Sequence, residues 1–304
     1  MAENQILVRS RTAYQFRDLI ARWTFMAPAI VLLCVILGYP IFYTLEISFA
    51  EFDLMTFGAG DWVGWENYRE VVNDYRFWDS LWVTLVYLFW ALPIQVALGF
   101  AIAYLINAPW RGRAVVRAFF IIPLVVAPVV AGGVWRMILD PLWGLMNVVL
   151  GVLGIGPFDW FGDPNLAMAT IVIIDTWRWT PFIVLIATAA ILSLPKDVFE
   201  AARIDGANAW SMLWQVALPL LVPVIAATFV IRWLGAVKMF DIVLSATMGG
   251  PGKATSVINL FIYEEAFRSL RFAESSAMAI IVLILTMVFT ALFLRGSRLL
   301  EELF

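Results

Sequence analysis

Six long apolar runs constrain the fold of this chain more than any other feature of its sequence. They cover roughly residues 24–46, 81–107, 115–138, 166–192, 212–236 and 274–294. A helix that spans a bilayer needs about 20 mostly apolar residues, since each rises about 1.5 Å and the hydrocarbon is about 30 Å thick. Because the runs are continuously apolar and do not alternate as membrane strands do, the sequence predicts six transmembrane helices.

The composition indicates that lipid surrounds most of the apolar side chains. Hydrophobic residues make up 63% of the 304 residues, charged residues only 14%, and the mean hydropathy is +0.89. In a soluble domain about a quarter of the residues are charged. The charged surface here is therefore too small to keep this chain in water. We therefore expect an all-α integral membrane protein.

Histidine is absent, and Cys34 is the only cysteine. A chain without histidine lacks the commonest general base and cannot form a Ser/His/Asp or Cys/His triad. A single cysteine excludes an internal disulfide and makes a cysteine metal site very unfavourable. We expect no catalytic residue, no metal and no cofactor in this chain.

The positive charges predict the orientation in the membrane. Four arginines precede the first apolar run: Arg9, Arg11, Arg17 and Arg22. No cleavage site follows that run, which favours a retained first helix. With the amino terminus inside, the inner segments hold eleven Lys and Arg against six outside, and such residues stay on the cytoplasmic side. We expect a cytoplasmic segment 1–23, one transmembrane domain 24–304 and two cytoplasmic termini.

A hydrophilic stretch at about residues 195–212 separates the fourth and fifth runs on the predicted cytoplasmic side. Pro195 and Lys196 favour the start of a short helix, and Gly206 favours its end because glycine readily adopts a left-handed conformation. A short helix with a small, partly apolar face could dock into a groove on a partner protein. The residues expected to make this contact are Glu200, Ala201, Ala202, Asp205, Gly206 and Ala207.

The same stretch matches a family pattern: Glu-Ala-Ala, three residues, Gly, nine residues, an aliphatic residue, one residue and Leu-Pro, from Glu200 to Pro219. It resembles the signature loop of inner-membrane permease subunits of binding-protein-dependent ABC importers. Three further segments, residues 64–68, 180–182 and 249–252, are similar to the sugar-permease branch. Together they resemble the maltose-type and glycerol-phosphate-type permeases over most of the chain.

The resemblance implies a type I ABC importer permease fold with six transmembrane helices. The helix around Glu200 would be the coupling helix, seated in a groove of a cytoplasmic ATPase. ATP would be bound and hydrolysed by that partner, since this sequence has no Walker A motif. The implied partners are two ATPase copies, an extracytoplasmic solute-binding protein and a second, similar permease. We expect a heterodimer, although a homodimer stays open, and a sugar or polyol as solute, with glycerol phosphate as an alternative.

Asp175 and Arg178 lie inside the fourth run, where an ionisable side chain is costly and suggests a pathway or a structural pair. Three residues apart on a helix, they share a face and can pair. One interpretation is a polar patch along the solute path, with Trp177 or Trp179 as an aromatic plate for a sugar. The other is an internal ion pair that fixes helix packing, and both stay open.

Three further charged residues lie near the outer end of the fifth run: Arg232, Lys238 and Asp241. Charged groups bind hydroxyls more strongly than neutral groups do, so Lys238 and Asp241 are candidates for solute contact. We expect Arg232 to be an interfacial anchor whose long side chain reaches water.

Two other function classes are weaker interpretations of the same residues. A membrane-bound lipid transferase with an active site at Asp175 and Arg178 leaves the Glu-Ala-Ala pattern unexplained. A proton-coupled carrier needs unpaired acids near the membrane midplane and often shows repeated halves. Dependence of uptake on ATP or on a proton gradient separates the importer from the carrier.

Overall fold

The computed structural model describes residues 22–53, 55–56, 58–107 and 112–301, which fold mainly into long helices. In chain order the helices are α1 (Arg22–Ser48), α2 (Glu66–Asn73), α3 (Tyr75–Asn107), α4 (Arg113–Val125), α5 (Pro128–Ile138), α6 (Leu145–Val152), α7 (Pro164–Ser193), α8 (Lys196–Ile204), α9 (Met212–Ala236), α10 (Asp241–Ala246), α11 (Ile258–Phe267) and α12 (Phe272–Glu301). Most of the predicted segment 1–23, with Arg9, Arg11 and Arg17, lies outside the described residues.

Five of these helices are long and apolar enough to cross a membrane: α1, α3, α7, α9 and α12. They confirm the first, second, fourth, fifth and sixth predicted spans. A short antiparallel hairpin of β1 (Ala50–Asp53) and β2 (Gly58–Trp62) follows α1. The sequence analysis did not predict this hairpin, but the helical membrane fold class is confirmed.

The third predicted span, 115–138, is not one straight helix. It forms the pair α4 and α5, whose axes differ by 105°. The backbone is extended at Val126 and Ala127, with ψ angles of 126° and 140°. Pro128 is the first residue of α5, where its missing N–H has no cost, and a proline disfavours helical backbone in the residue before it. The predicted third span is therefore a bent pair of helices, with the break just before Pro128.

The long helices run in both directions along the bundle, which has two different ends. α3 and α7 run in the same direction, since Tyr87 lies against Asp175 and Gly99 against Ile183. α8 lies at one of them, called here the α8 end. The hairpin, α2, α6, α10 and α11 lie at the other, called here the hairpin end.

Buried apolar side chains form two clusters along the bundle. The hairpin-end cluster joins α2, α3, α7, α9, α10, α11 and α12, and includes Tyr87, Leu92, Ile171, Trp233 and Ile258. The α8-end cluster is smaller and consists of Phe100, Ala103, Ile106, Ile183, Val184, Ala187, Ala190 and Leu221.

Close approach of α3 and α7 in the α8-end cluster depends on Gly99. A Cβ atom at this position would overlap the side chain of Ile183. Small residues let membrane helices pack backbone to backbone, where dispersion contacts are strongest. Gly99 therefore sets the distance between two of the spans.

Candidate functional site

The predicted docking stretch forms a short helix, α8, that projects from the bundle. None of its nine residues is buried. Glu200, Ala201 and Asp205 are exposed, whereas Ala202 and Ala207 are half-buried against the chain that follows. Residues 195–212 are called the α8 loop below. Its helix thus offers one face to a partner and keeps the other on the bundle.

Gly206 ends α8 in a left-handed conformation, with φ +84°. The N–H of Gly206 donates to the carbonyl of Arg203 at 3.1 Å, and the N–H of Ala207 donates to that of Ala202 at 2.9 Å. This is a Schellman motif, which satisfies carbonyls that the last helical turn leaves free. A left-handed residue other than glycine is strained, so the local pattern read from the sequence has a structural cause.

Asn208 then starts the chain back into the membrane. Its side-chain oxygen accepts a hydrogen bond from the N–H of Ser211 at 2.8 Å, as an N-cap residue does. A helical turn, Ala209–Ser211, leads into α9, whose first residues, Met212–Ala217, form a π segment. The α8 loop is therefore closed at both helix ends by local hydrogen bonds.

A buried polar network connects three spans between the two apolar clusters. The Asp175 carboxylate on α7 accepts hydrogen bonds from Tyr87 Oη at 2.6 Å and Gln95 Nε2 at 2.7 Å, both on α3. It also forms an ion pair with Arg232 on α9. Arg232 Nε donates to Gln95 Oε1 at 2.6 Å, so the four side chains bond one another. All four are at most 2% exposed.

The network corrects two predictions. Asp175 forms its ion pair with Arg232, so the interpretation of Asp175 and Arg178 as an internal ion pair does not hold. Arg232 is 2% exposed and lies in the bundle, so it is not an interfacial anchor. Position along a run cannot reveal that a carboxylate on another helix faces a cation. The polar Gln95 and Tyr87 in the second run were the available signal for this network.

Trp179 lies close to two guanidinium groups. The Arg178 carbon Cζ is 5.0 Å from the centre of its ring, and the Arg232 Cζ is 4.7 Å away. Cations at such distances over an indole ring are attracted to its negative face. The predicted aromatic plate is thus held by charges on both α7 and α9.

A small cavity of about 90 Å³ borders this arrangement and is called here the α7–α9 cavity. Five predicted solute-path residues line it: Asp175, Arg178, Trp179, Lys238 and Asp241. Lys238 and Asp241 are exposed, and Asp241 is the first residue of α10. Trp177 lies elsewhere, in an apolar groove at the angle between α4 and α5, where it meets Trp135 edge to face.

A second polar group ties the hairpin end together. Arg76 bonds Asp74 and also Glu265 at 3.0 Å, and Arg271 bonds Glu265 at 3.2 Å. Burial alone would raise the pKa of Asp74, but the hydrogen bonds and charge of Arg76 hold it below the ordinary value. Because Glu265 is on α11, these pairs connect α3, α11 and the start of α12.

No group of three or more potential ligand side chains that could hold a metal ion occurs among the described residues. The chemistry available at the α7–α9 cavity is hydrogen bonding and ring stacking. These are the interactions by which proteins bind polar organic solutes.

The chain matches the model of the family described as binding-protein-dependent transport system inner membrane component over residues 71–302. A probable ABC transporter permease protein, y4oQ of Sinorhizobium fredii, is 33% identical over 268 residues, which is 88% of this chain and 86% of that protein. The trehalose/maltose transport system permease protein MalF of Thermococcus litoralis is 32% identical over 284 residues, 93% of this chain and 96% of that protein.

A solved structure has the same fold. It is a chain of a bacterial alginate ABC transporter, crystallised in complex with an alginate pentasaccharide-bound periplasmic protein. The TM-score is 0.82 at 21% identity, and the superposition covers 94% of this chain and 96% of that one. The type I permease fold is therefore confirmed. With the family match over most of its length, the chain belongs to the binding-protein-dependent transport system inner membrane components.

Proposed function

We propose that this chain forms part of the membrane channel of an ABC importer for a sugar-type solute, and that a partner ATPase acts on it through the α8 loop. As a member of its family it is a multi-pass inner-membrane transport subunit and not an enzyme, and it works with an ABC ATPase and a solute-binding protein. The observation that carries the proposal is the exposed α8 with its fixed left-handed end.

The α8 loop suits the transmission of force between two proteins. A helix with no buried residue and small side chains at Ala201 and Ala202 can enter a groove on the ATPase, and Glu200 is free to meet a positive group there. The Schellman motif at Gly206 holds the helix at a fixed angle to α9. Movement of the ATPase would therefore reach the spans as a rigid-body movement.

The α7–α9 cavity suits a polyhydroxylated solute. Lys238 and Asp241 offer charged hydrogen-bonding groups, and Trp179 offers a ring face. Relatives named for trehalose or maltose, for sulfoquinovosyl glycerol and for lactose support a carbohydrate or a carbohydrate derivative. A second permease would complete the path, because the described helices leave this cavity open on one side; we propose a heterodimer.

The same proposal gives both termini a cytoplasmic position. The ATPase hydrolyses cytoplasmic ATP, so the α8 end would face the cytoplasm and the hairpin end the outside. α12 ends and α1 begins at the α8 end. The excess of Lys and Arg in the segments at this end supports the same orientation.

Substitutions at Gly206 test the proposal most directly. Gly206→Val strains the backbone by about 1–2 kcal/mol at its left-handed angle, whereas Gly206→Asn is tolerated there. No atom lies within 4 Å of the added Cβ, so neither variant clashes with the bundle. We expect Gly206→Val to reach the membrane in normal amount but to lose ATP-driven uptake and ATPase association, and Gly206→Asn to retain both.

Uptake should be measured in proteoliposomes with ATP inside and the solute-binding protein outside, using trehalose, maltose and lactose as probes. Uptake that needs a proton gradient instead of ATP would contradict the importer. Full ATPase association in Gly206→Val and in Glu200→Lys would show that the α8 loop is not the coupling element.

A further inference from the structure

The break between α4 and α5 leaves backbone groups at membrane depth. Val126 and Ala127 are extended, so the carbonyl of Val126 lies outside the hydrogen-bond ladders of both helices. This carbonyl accepts a hydrogen bond from Arg178 Nε at 3.2 Å. Arg178 lies near the middle of α7 (Pro164–Ser193), so one span satisfies the broken backbone of another.

A hydrogen bond to this carbonyl contributes more to stability inside a membrane than it would in water. Non-helical backbone within a membrane is tolerated only where other protein groups satisfy it or where it lines a cavity. An unsatisfied peptide carbonyl in an apolar medium costs on the order of several kcal/mol. The bend of 105° therefore depends on a donor at the position of Arg178 Nε.

The two sides of the break belong to different parts of the bundle. Phe120 on α4 packs against the α8-end cluster, whereas Trp135 on α5 packs against the hairpin-end cluster. Gly132 on α5 approaches α10 so closely that a Cβ would overlap Ser245. The bend thus joins the part of the bundle that contains the α8-end cluster to a part packed on α10.

Arg178 also belongs to the proposed solute path. It lines the α7–α9 cavity together with Pro128, the first residue of α5. Its Nε holds Val126, and its guanidinium carbon is 5.0 Å from the ring of Trp179. One side chain therefore touches both the broken span and the cavity.

We propose that Arg178 is a positioning residue for transport: through Nε it holds the Val126 carbonyl, fixes the angle between α4 and α5, and so sets the position of the Pro128 wall of the solute cavity. The link to transport depends on the proposed function. The link between Nε and the bend does not.

Three substitutions separate the Nε donor from the charge. Glutamine carries its amide nitrogen four bonds from Cα, as arginine carries Nε, so Arg178→Gln keeps a donor there and loses the charge. Lysine has a carbon at that position and its ammonium one atom farther, so Arg178→Lys keeps the charge and loses the donor. Arg178→Met keeps the length and loses both.

The bend can be measured by pulsed EPR between spin labels at Val115→Cys and Met137→Cys, two exposed positions near the far ends of α4 and α5. The background is Cys34→Ser, because Cys34 is the only native cysteine. The assembled transporter is used, and stimulation of its ATP hydrolysis by its solute-binding protein is measured in parallel.

We expect Arg178→Gln to keep the narrow distance distribution of the parent chain. Arg178→Lys and Arg178→Met are expected to broaden it about twofold and to reduce the stimulation of ATP hydrolysis at least about fivefold relative to Arg178→Gln. The proposal is also supported if the amount of protein in the membrane is higher for Arg178→Gln than for Arg178→Lys and Arg178→Met.

Rescue by lysine but not by glutamine would assign the effect to charge and overturn the proposal. Identical distributions in all variants, or loss of all three from the membrane, would overturn it as well. A parent transporter whose ATP hydrolysis does not respond to the binding protein would instead count against the proposed function, while the distance measurement would still test the bend.

Discussion

The two ends of the bundle are closed in different ways. At the hairpin end, a large apolar cluster holds seven helices together. The ion pairs of Arg76 and Arg271, and a hydrogen bond from the Ile258 N–H to Thr84 Oγ1, add to it. At the α8 end, a small cluster involves chiefly α3, α7 and α9. Beyond it, Ile204 is 87% exposed and Trp210 is 69% exposed.

This difference shows which end of the bundle is stabilised mainly by contacts within the chain. The hairpin end is held by a large buried cluster and by ion pairs, whereas the α8 end has a small cluster and carries α8, none of whose residues is buried. Exposed apolar side chains occur at both ends, since Trp62 in the hairpin is 70% exposed. In the proposed importer, the end that receives the ATPase would move relative to the end that keeps its shape.

The polar network of Asp175 and Arg232 lies at the boundary between the clusters, and breaking it should have the largest effect. Arg232→Met leaves a buried carboxylate without its cation, which costs about 3–5 kcal/mol. We expect strongly reduced amounts of folded protein and a lower unfolding temperature. The double variant Asp175→Asn with Arg232→Met should recover part of the loss, because no uncompensated charge remains.

The matched control is Arg268→Met, which removes an exposed ion pair with Glu264. It should change the stability by less than about 0.5 kcal/mol. If Arg232→Met proved as mild as this control, the two clusters would not depend on the polar boundary between them.

Gly99 tests whether the smaller α8-end cluster is tightly packed. Gly99→Ala should cost about 1–3 kcal/mol, because its Cβ overlaps Ile183 and α3 must move away from α7. Gly133→Ala is the control, since its Cβ would meet no atom within 4 Å. Thermal unfolding of both variants in detergent measures the difference. If Gly99→Ala unfolded at the same temperature as the parent chain, α3 and α7 would be able to separate without cost. The α8-end cluster would then not be tightly packed.

The sequence could predict much of the fold for a physical reason. Continuous apolar runs have the length that a bilayer imposes, so five spans and the α8 loop follow from hydrophobicity and from the turn chemistry of Gly206. The family pattern around Glu200 is local as well. These features depend on residues close together in the chain.

The features that sequence could not predict depend on contacts between distant residues. Pro128 indicates that a helix can start, but the freed carbonyl of Val126 at the 105° bend accepts a hydrogen bond from Arg178, which lies 52 positions away. Arg232 resembles an interfacial anchor until Asp175 is found opposite it. The same limit applies to the solute path, where Trp179 reaches the α7–α9 cavity and Trp177 does not.

The smallest expected effect concerns pH at the hairpin end. The pKa of Asp74 lies below its ordinary value, because hydrogen bonds and charge from Arg76 outweigh the effect of burial. A lowered folded-state pKa means that its contribution to stability is fully present above about pH 4 and disappears as the pH falls through the folded value.

Asp74→Asn keeps the side-chain oxygen that caps the start of α3 but has no charge to titrate. At pH 7 we expect the parent chain to be more stable than Asp74→Asn by less than about 1 kcal/mol. Unfolding temperatures of both proteins between pH 7 and pH 3 should converge toward the acid end, since protonation of Asp74 removes the difference between them. A difference that stays constant over this range would show that the charge of Asp74 does not contribute to closing the hairpin end.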